Sequence, residues 1–201
     1  MTRLSVATTS VPGDLPGKLE RVADAGFTGV EIHAPDLTGF AGTAKDIGHR
    51  AKELGLTIEA LQPFHQFEGL SGRARQAAFA RLDQKVKMAC DLGAKTLLVG
   101  TTTHADATSD REAVIRDLGE LAQKAGEAGI RAALLALPWA QHTKTELDAL
   151  DLVSAVDSPH LGLALNSFFS LADGSQAARL RGISGARVFH VGFPNRSNPA
   201  R

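Results

Sequence analysis

Four times along the chain a helix-like stretch ends in a small or aliphatic residue followed by glycine, and a short apolar run comes next. The pairs are Ala25-Gly26 before residues 28–33, Leu54-Gly55 before 57–62, Leu92-Gly93 before 95–101, and Ala128-Gly129 before 131–137. The glycines are 29, 38 and 36 residues apart. A glycine just past a helix takes the left-handed conformation that ends it at little cost. The following runs, such as Thr96-Leu97-Leu98-Val99 and Ala132-Ala133-Leu134-Leu135-Ala136, are apolar on both faces, as strands of a parallel sheet covered by helices must be. Residues 4–8, 161–165 and 187–191 read as strands one, six and seven. The intervening helices carry apolar faces: Leu15, Leu19, Val22 and Ala23; Phe79, Leu82, Val86 and Cys90; Ile115, Leu118, Ala122 and Ala125. Ser109 with Glu112, and Thr143 with Glu146, have capping-box spacing.

Strand–helix alternation at this period predicts parallel α/β architecture. A doubly wound open sheet usually has a glycine-rich phosphate loop after strand one. Here that place holds Thr9-Ser10-Val11-Pro12-Gly13, so the closed type is favoured. The expected fold is a TIM-type (β/α) barrel, incomplete, with about seven strands and the eighth missing, since such barrels typically need ~250 residues. Residues 1–196 form the expected domain and 197–201 a tail. Strands seven and one would then each present an open edge, and exposed edges invite pairing. A fragment of a longer fusion, a decayed gene product, and a barrel closed by a partner chain or a second copy are the three explanations. The polar, proline-containing stretch 194–201 favours the first two.

The function classes excluded follow from charge and hydropathy. Lys+Arg and Asp+Glu are 22 each, so no net field draws nucleic acid or an anionic membrane. The basic pieces Arg73–Arg75 and Lys85–Lys87 read as solvated helix surface. No apolar run approaches the ~18 residues of a membrane span. No secretory leader is visible, so a cytoplasmic protein is expected. The single cysteine, Cys90, reads as a small buried hydrophobe. Ser10, Ser71 and Ser167 lack a nucleophile-elbow setting.

One nine-residue segment is the most specific: Leu61-Gln62-Pro63-Phe64-His65-Gln66-Phe67-Glu68-Gly69. Supporting pieces are Ala25–Ile32, Leu137-Pro138-Trp139-Ala140-Gln141-His142, Pro159–Leu163 and Leu165-Asn166-Ser167-Phe168-Phe169. Together they resemble the xylose-isomerase-like barrel superfamily of sugar-phosphate isomerases, epimerases and endonuclease-type barrels, most of all its bacterial 3-dehydroshikimate dehydratases. The resemblance implies a divalent metal at the C-terminal mouth, held by ligands from strands five to eight, which stabilises an enolate as a Lewis acid. Carried over by position, the strand-five glutamate is Leu135, the strand-six aspartate Asn166, and the strand-seven glutamine or histidine Gly192. The strand-eight glutamate has no counterpart. A substrate-side histidine falls at Phe169, and an arginine at His65.

No metal or other cofactor is therefore expected. The residual pocket consists of Gln62, His65, Glu68, Trp139, His142 and Asn166, suited to a small polar ligand or to inherited packing. Two functions follow: a degenerate, non-catalytic relative that binds a small molecule or a partner, or an active lyase or isomerase on a polyhydroxylated carbonyl substrate. In the second, His65 or His142 is the general base and Asn166 a donor to the enolate oxygen. A zinc site built from His33, His65, His104, His142 and His190 is the sharper alternative to histidines merely scattered round the rim. His190 shares a face with Gly192 and points inward, one layer deeper. His65 and Glu68 form a weak candidate acid–base pair. Glu31 and Glu59, in strands, read chiefly as structural ion-pair members.

Overall fold

A computed structural model describes residues 4–172 and 177–193; the stretch expected as tail lies outside them. Seven parallel strands pair in strict chain order: β1 Ser5–Ala7, β2 Gly29–His33, β3 Thr57–Phe64, β4 Thr96–Gly100, β5 Arg131–Leu135, β6 Leu161–Asn166 and β7 Val188–Gly192. The helices are α1 Leu15–Asp24, α2 Ala44–Glu53, α3 Gly72–Leu92, α4 Arg111–Glu127, α5 Glu146–Val156 and α6 Ser167–Ala172. This is an incomplete TIM-type barrel, and among the described residues no strand follows β7. Gly26, Gly55, Gly93 and Gly129 all sit at φ between +70° and +80°, so each ends its helix as the repeat predicts.

The main core lies between sheet and helices. Ile32, Leu61, Leu97, Leu134 and Leu163 meet Leu19, Ile47, Leu82, Leu118 and Val153 there. A smaller cluster fills the opposite face, toward the barrel axis: Ala60, Leu98, Ala133 and Ala164, with Leu135 and Phe189 against them.

Three expectations are corrected. Helix α4 is capped by Asp110, not Ser109: the Asp110 carboxylate accepts from Glu112 N. Helix α5 is capped by Thr145 in a box with Asp148, not by Thr143 with Glu146. Thr143 is instead held inward, its carbonyl accepting from Thr101 Oγ1 at 2.9 Å. Cys90 is exposed, with Sγ 3.6 Å from the Ala128 carbonyl. The buried stripe of α3 runs through Ala78, Leu82, Ala89 and Leu92, and Cys90 lies one residue, about 100° of helix, beyond it. Arg75 is also more than solvated surface, for it is bound to α4 as described below.

Gly48 lets α2 approach the end of α3. A Cβ there would lie 2.7 Å from the Leu92 carbonyl oxygen, a backbone atom that cannot rotate away. Gly48→Ala is expected to lower stability by roughly 1–3 kcal/mol in thermal unfolding. Gly119→Ala, on α4 with nothing near the added atom, should raise it by roughly 0.5–1 kcal/mol. Equal effects of the two would disprove the close approach.

Candidate functional site

The last residues of β5, β6 and β7 are Leu135, Asn166 and Gly192, and Asn166 pairs in register with Gly192. All three sit at the C-terminal mouth, where such barrels work. Leu135 has no donor atom and Gly192 no side chain. Asn166 Oδ1 accepts from the backbone N–H of Phe168 at 3.0 Å and of Phe169 at 3.3 Å, so it opens α6. Two N–H donors fix which end of the amide is oxygen. The Nδ2 end therefore faces Gly192, 3.8 Å from where a Cβ on that residue would lie. A hard cation takes oxygen ligands, and a transition metal takes imidazole as well. At these three positions the arrangement offers an aliphatic side chain, an N–H donor and nothing.

The other predicted site residues divide into separate environments. Gln62, on β3, points to the axis and donates from Nε2 to Glu31 Oε2 at 3.3 Å. His65 is exposed at the rim. Glu68 is only 2% exposed and accepts from Thr102 N at 2.6 Å. Among the described residues, Glu68 Oε2 has no hydrogen-bond partner. No hydrogen bond links Glu68 to His65 among the described residues, because one faces the core and the other solvent. Trp139 is 61% exposed and meets the Phe169 ring edge-on at 5.1 Å. His142 lies 2.8 Å from the Ala107 carbonyl through Nε2.

Burial pushes the Glu68 carboxyl up from 4.5 to about 7. The Thr102 N–H and Glu68's own N–H oppose that rise, the nearby Asp117 charge adds to it, and His142 opposes it. Asp117, on α4, is 1% exposed; it accepts from Gly69 N at 2.9 Å and from Arg75 Nε at 2.8 Å. It anchors the specific Gln62–Gly69 segment from behind. Sequence reading missed it, because an aspartate within a polar helix face carries no mark of burial.

The axis holds a polar group of its own. Glu31 Oε1 accepts from Ser5 Oγ at 3.0 Å and lies 3.6 Å from His190 Nε2. His190 thus points inward, but so does its neighbour Phe189, because the register of β6 and β7 shifts there; Glu31 has polar contacts with Ser5, Gln62 and His190. Glu59 pairs with Lys95 at 3.1 Å. His33 instead lies by Asp36, 3.8 Å away, and His104 Nδ1 accepts from Asp106 N. The five histidines are dispersed, and among the described residues no group of three or more His, Cys, Asp or Glu is placed to hold a metal. Nor is any described helix long and apolar enough to cross a membrane.

Residues 19–195 match the family described as xylose isomerase-like TIM barrel. The chain belongs to that family. It is 37% identical over 187 residues to the 3-dehydroshikimate dehydratase of Pseudomonas putida, and 36% to that of Pseudomonas aeruginosa. Each match takes in 93% of this chain but only 29% and 30% of the respective relative, so the chain spans under a third of their length. Among solved structures it is similar to a xylose isomerase-like TIM barrel/4-hydroxyphenylpyruvate dioxygenase fusion protein, with a TM-score of 0.91 at 36% identity, over 94% of this chain and 30% of that one. The specific nine-residue segment therefore pointed to the right relatives within this family.

Proposed function

We propose that this barrel is a degenerate relative of 3-dehydroshikimate dehydratases that performs no divalent-metal chemistry at its mouth and binds a small polar ligand there. The observation that carries this reading is the orientation of Asn166. Its oxygen is committed to the start of α6, so what it turns to the mouth is an N–H donor, the wrong polarity for a cation. Leu135 and Gly192 add no ligand beside it. His190 Nε2 faces the same point, but among the described residues no group of three or more His, Cys, Asp or Glu is placed to hold the metal that the family's enolate chemistry would use.

The full chain should therefore purify with less than stoichiometric divalent metal by elemental analysis. It should give no rise in aromatic absorbance with 3-dehydroshikimate, with or without added Mg²⁺ or Mn²⁺. Stoichiometric metal, or turnover abolished by EDTA, would overturn the reading. Turnover that resists EDTA but is lost in His65→Ala or His142→Ala would establish the other reading, a lyase with a rebuilt site.

A further inference from the structure

Both edges of the sheet are open. β1 pairs only with β2 and β7 only with β6, and among the described residues no strand lies against their other sides. Each edge therefore presents N–H and C=O groups that template a further strand. Edges that discourage such pairing carry charged residues or proline, but Ser5–Ala7 and Val188–Gly192 contain no Lys, Arg, Asp, Glu or Pro. Beyond the register shift at Phe189, residues 190–192 of β7 run regularly. The two edges also lie close together. Glu31 Oε1 accepts from Ser5 Oγ on β1 at 3.0 Å and lies 3.6 Å from His190 Nε2 on β7, so inward side chains of both edges meet on one carboxylate. A closed barrel of this type has eight strands, and seven in chain order leave a place for one. A second barrel paired edge to edge would have to continue the same curl and would collide with the opposite edge. One extended segment fits where a folded copy does not.

We infer that the seam between β7 and β1 is a docking site for one extended strand of a partner protein, apolar on its outward side and carrying a lysine or arginine on the side that meets Glu31. Strand addition of this kind takes its affinity from main-chain hydrogen bonds and its specificity from alternate side chains. Alternation from the inward Ser5 and His190 turns Leu4 and Val191 outward, where they are 75% and 46% exposed. Outward apolar side chains of an added strand would cover them. On the inner side Glu31 is only 9% exposed, and its hydrogen bonds come from two neutral groups, Ser5 Oγ and Gln62 Nε2. Among the described residues no lysine or arginine pairs with it. A carboxylate this buried gains from a cation, and one brought in on an added strand would arrive between Ser5 and His190, at acceptor sites that Glu31 has not used. The seam lies in the wall of the barrel, so this holds whether or not the mouth binds metal.

The test uses the full chain and a fluorescein-labelled peptide, Val-Thr-Val-Lys-Val-Thr-Val, with its termini blocked, beside the same peptide with glutamate in place of lysine. Fluorescence anisotropy should show saturable binding of the lysine peptide, and binding of the glutamate peptide weaker by about tenfold or more, the worth of one charge-assisted contact. Hydrogen exchange with the lysine peptide bound should slow at the amides of residues 5–7 and 188–192 and stay unchanged in β3 to β5. Glu31→Gln should erase the difference between the two peptides. Val191→Lys, an exposed substitution that guards the edge, should weaken both while leaving the circular dichroism unchanged, so the proposal stays testable if Glu31→Gln fails to fold. No saturable binding of the lysine peptide overturns the docking site, as does binding without protection at β1 and β7. Equal binding of the two peptides overturns the assigned charge. Edge amides already slow without peptide also overturn it: protection that rises with protein concentration assigns the seam to a second copy, and protection independent of concentration assigns it to the chain's own residues.

Discussion

Asp117→Ala is expected to cost the folded protein about 3 kcal/mol, read as a lower urea midpoint with an unchanged slope. The carboxylate is 1% exposed and serves two donors, Gly69 N and Arg75 Nε. Alanine would leave the Gly69 N–H buried without a partner, worth about 1–3 kcal/mol, and Arg75 without its inner contact. Arg75 would keep Glu120 at 2.6 Å and the face of Phe79 at 4.3 Å, and its 30% exposed side chain would be partly rescued by water. That rescue sets the figure at the lower end of the range for a broken buried pair. Glu120→Ala removes only the outer contact, to a side chain 43% exposed, and should cost about 1 kcal/mol or less. Equal costs for the two substitutions would show that Asp117 is no anchor.

Stability should fall as pH rises through neutrality, and Glu68→Gln should remove that fall. The folded state raises the Glu68 carboxyl from 4.5 to about 7, chiefly by burial. A raised carboxyl binds its proton more tightly folded than unfolded. Its contribution is complete below pH 4.5 and is lost as pH climbs to about 7 and beyond. The span corresponds to roughly 3 kcal/mol. Glutamine keeps an oxygen for Thr102 N and has no proton to lose. Urea unfolding at pH 5 and pH 8 should show the variant gaining on the parent by up to roughly 3 kcal/mol at the higher pH. Parallel pH profiles for the two proteins would refute this account of Glu68.

The architecture was legible because it is written locally. A glycine that must turn left-handed and an apolar run that follows it are neighbours in the chain, and four such units held their places within a residue or two. The caps were less so: Asp110 and Thr145 do the work assigned to Ser109 and Thr143, since several polar residues in a row can each cap and backbone geometry chooses. Cys90 missed burial by one step round a helix. In the site, alternation predicted an inward His190 but not the register shift that turns Phe189 inward as well, and the neighbouring Glu31 comes from β2, so only the curvature of the whole sheet brings it within 3.6 Å of His190. Glu68 sits in the most specific segment of the chain, yet its role depends on Thr102 and Asp117 from other elements. Spacing along a loop carries no record of such partners.

The strict chain order of the strands bears on how this protein is made. Each strand from β2 onward pairs with the one synthesised just before it, so no pairing within this sheet must wait for a distant segment to leave the ribosome. Contacts of short sequence separation close cheaply and quickly. A nascent chain can therefore lay down its sheet one unit at a time, each docking on a finished neighbour. At every stage the sheet has two open edges, β1 and the most recent strand, so one of the two edges a chaperone would have to shield stays fixed while the other moves along the protein in step with translation.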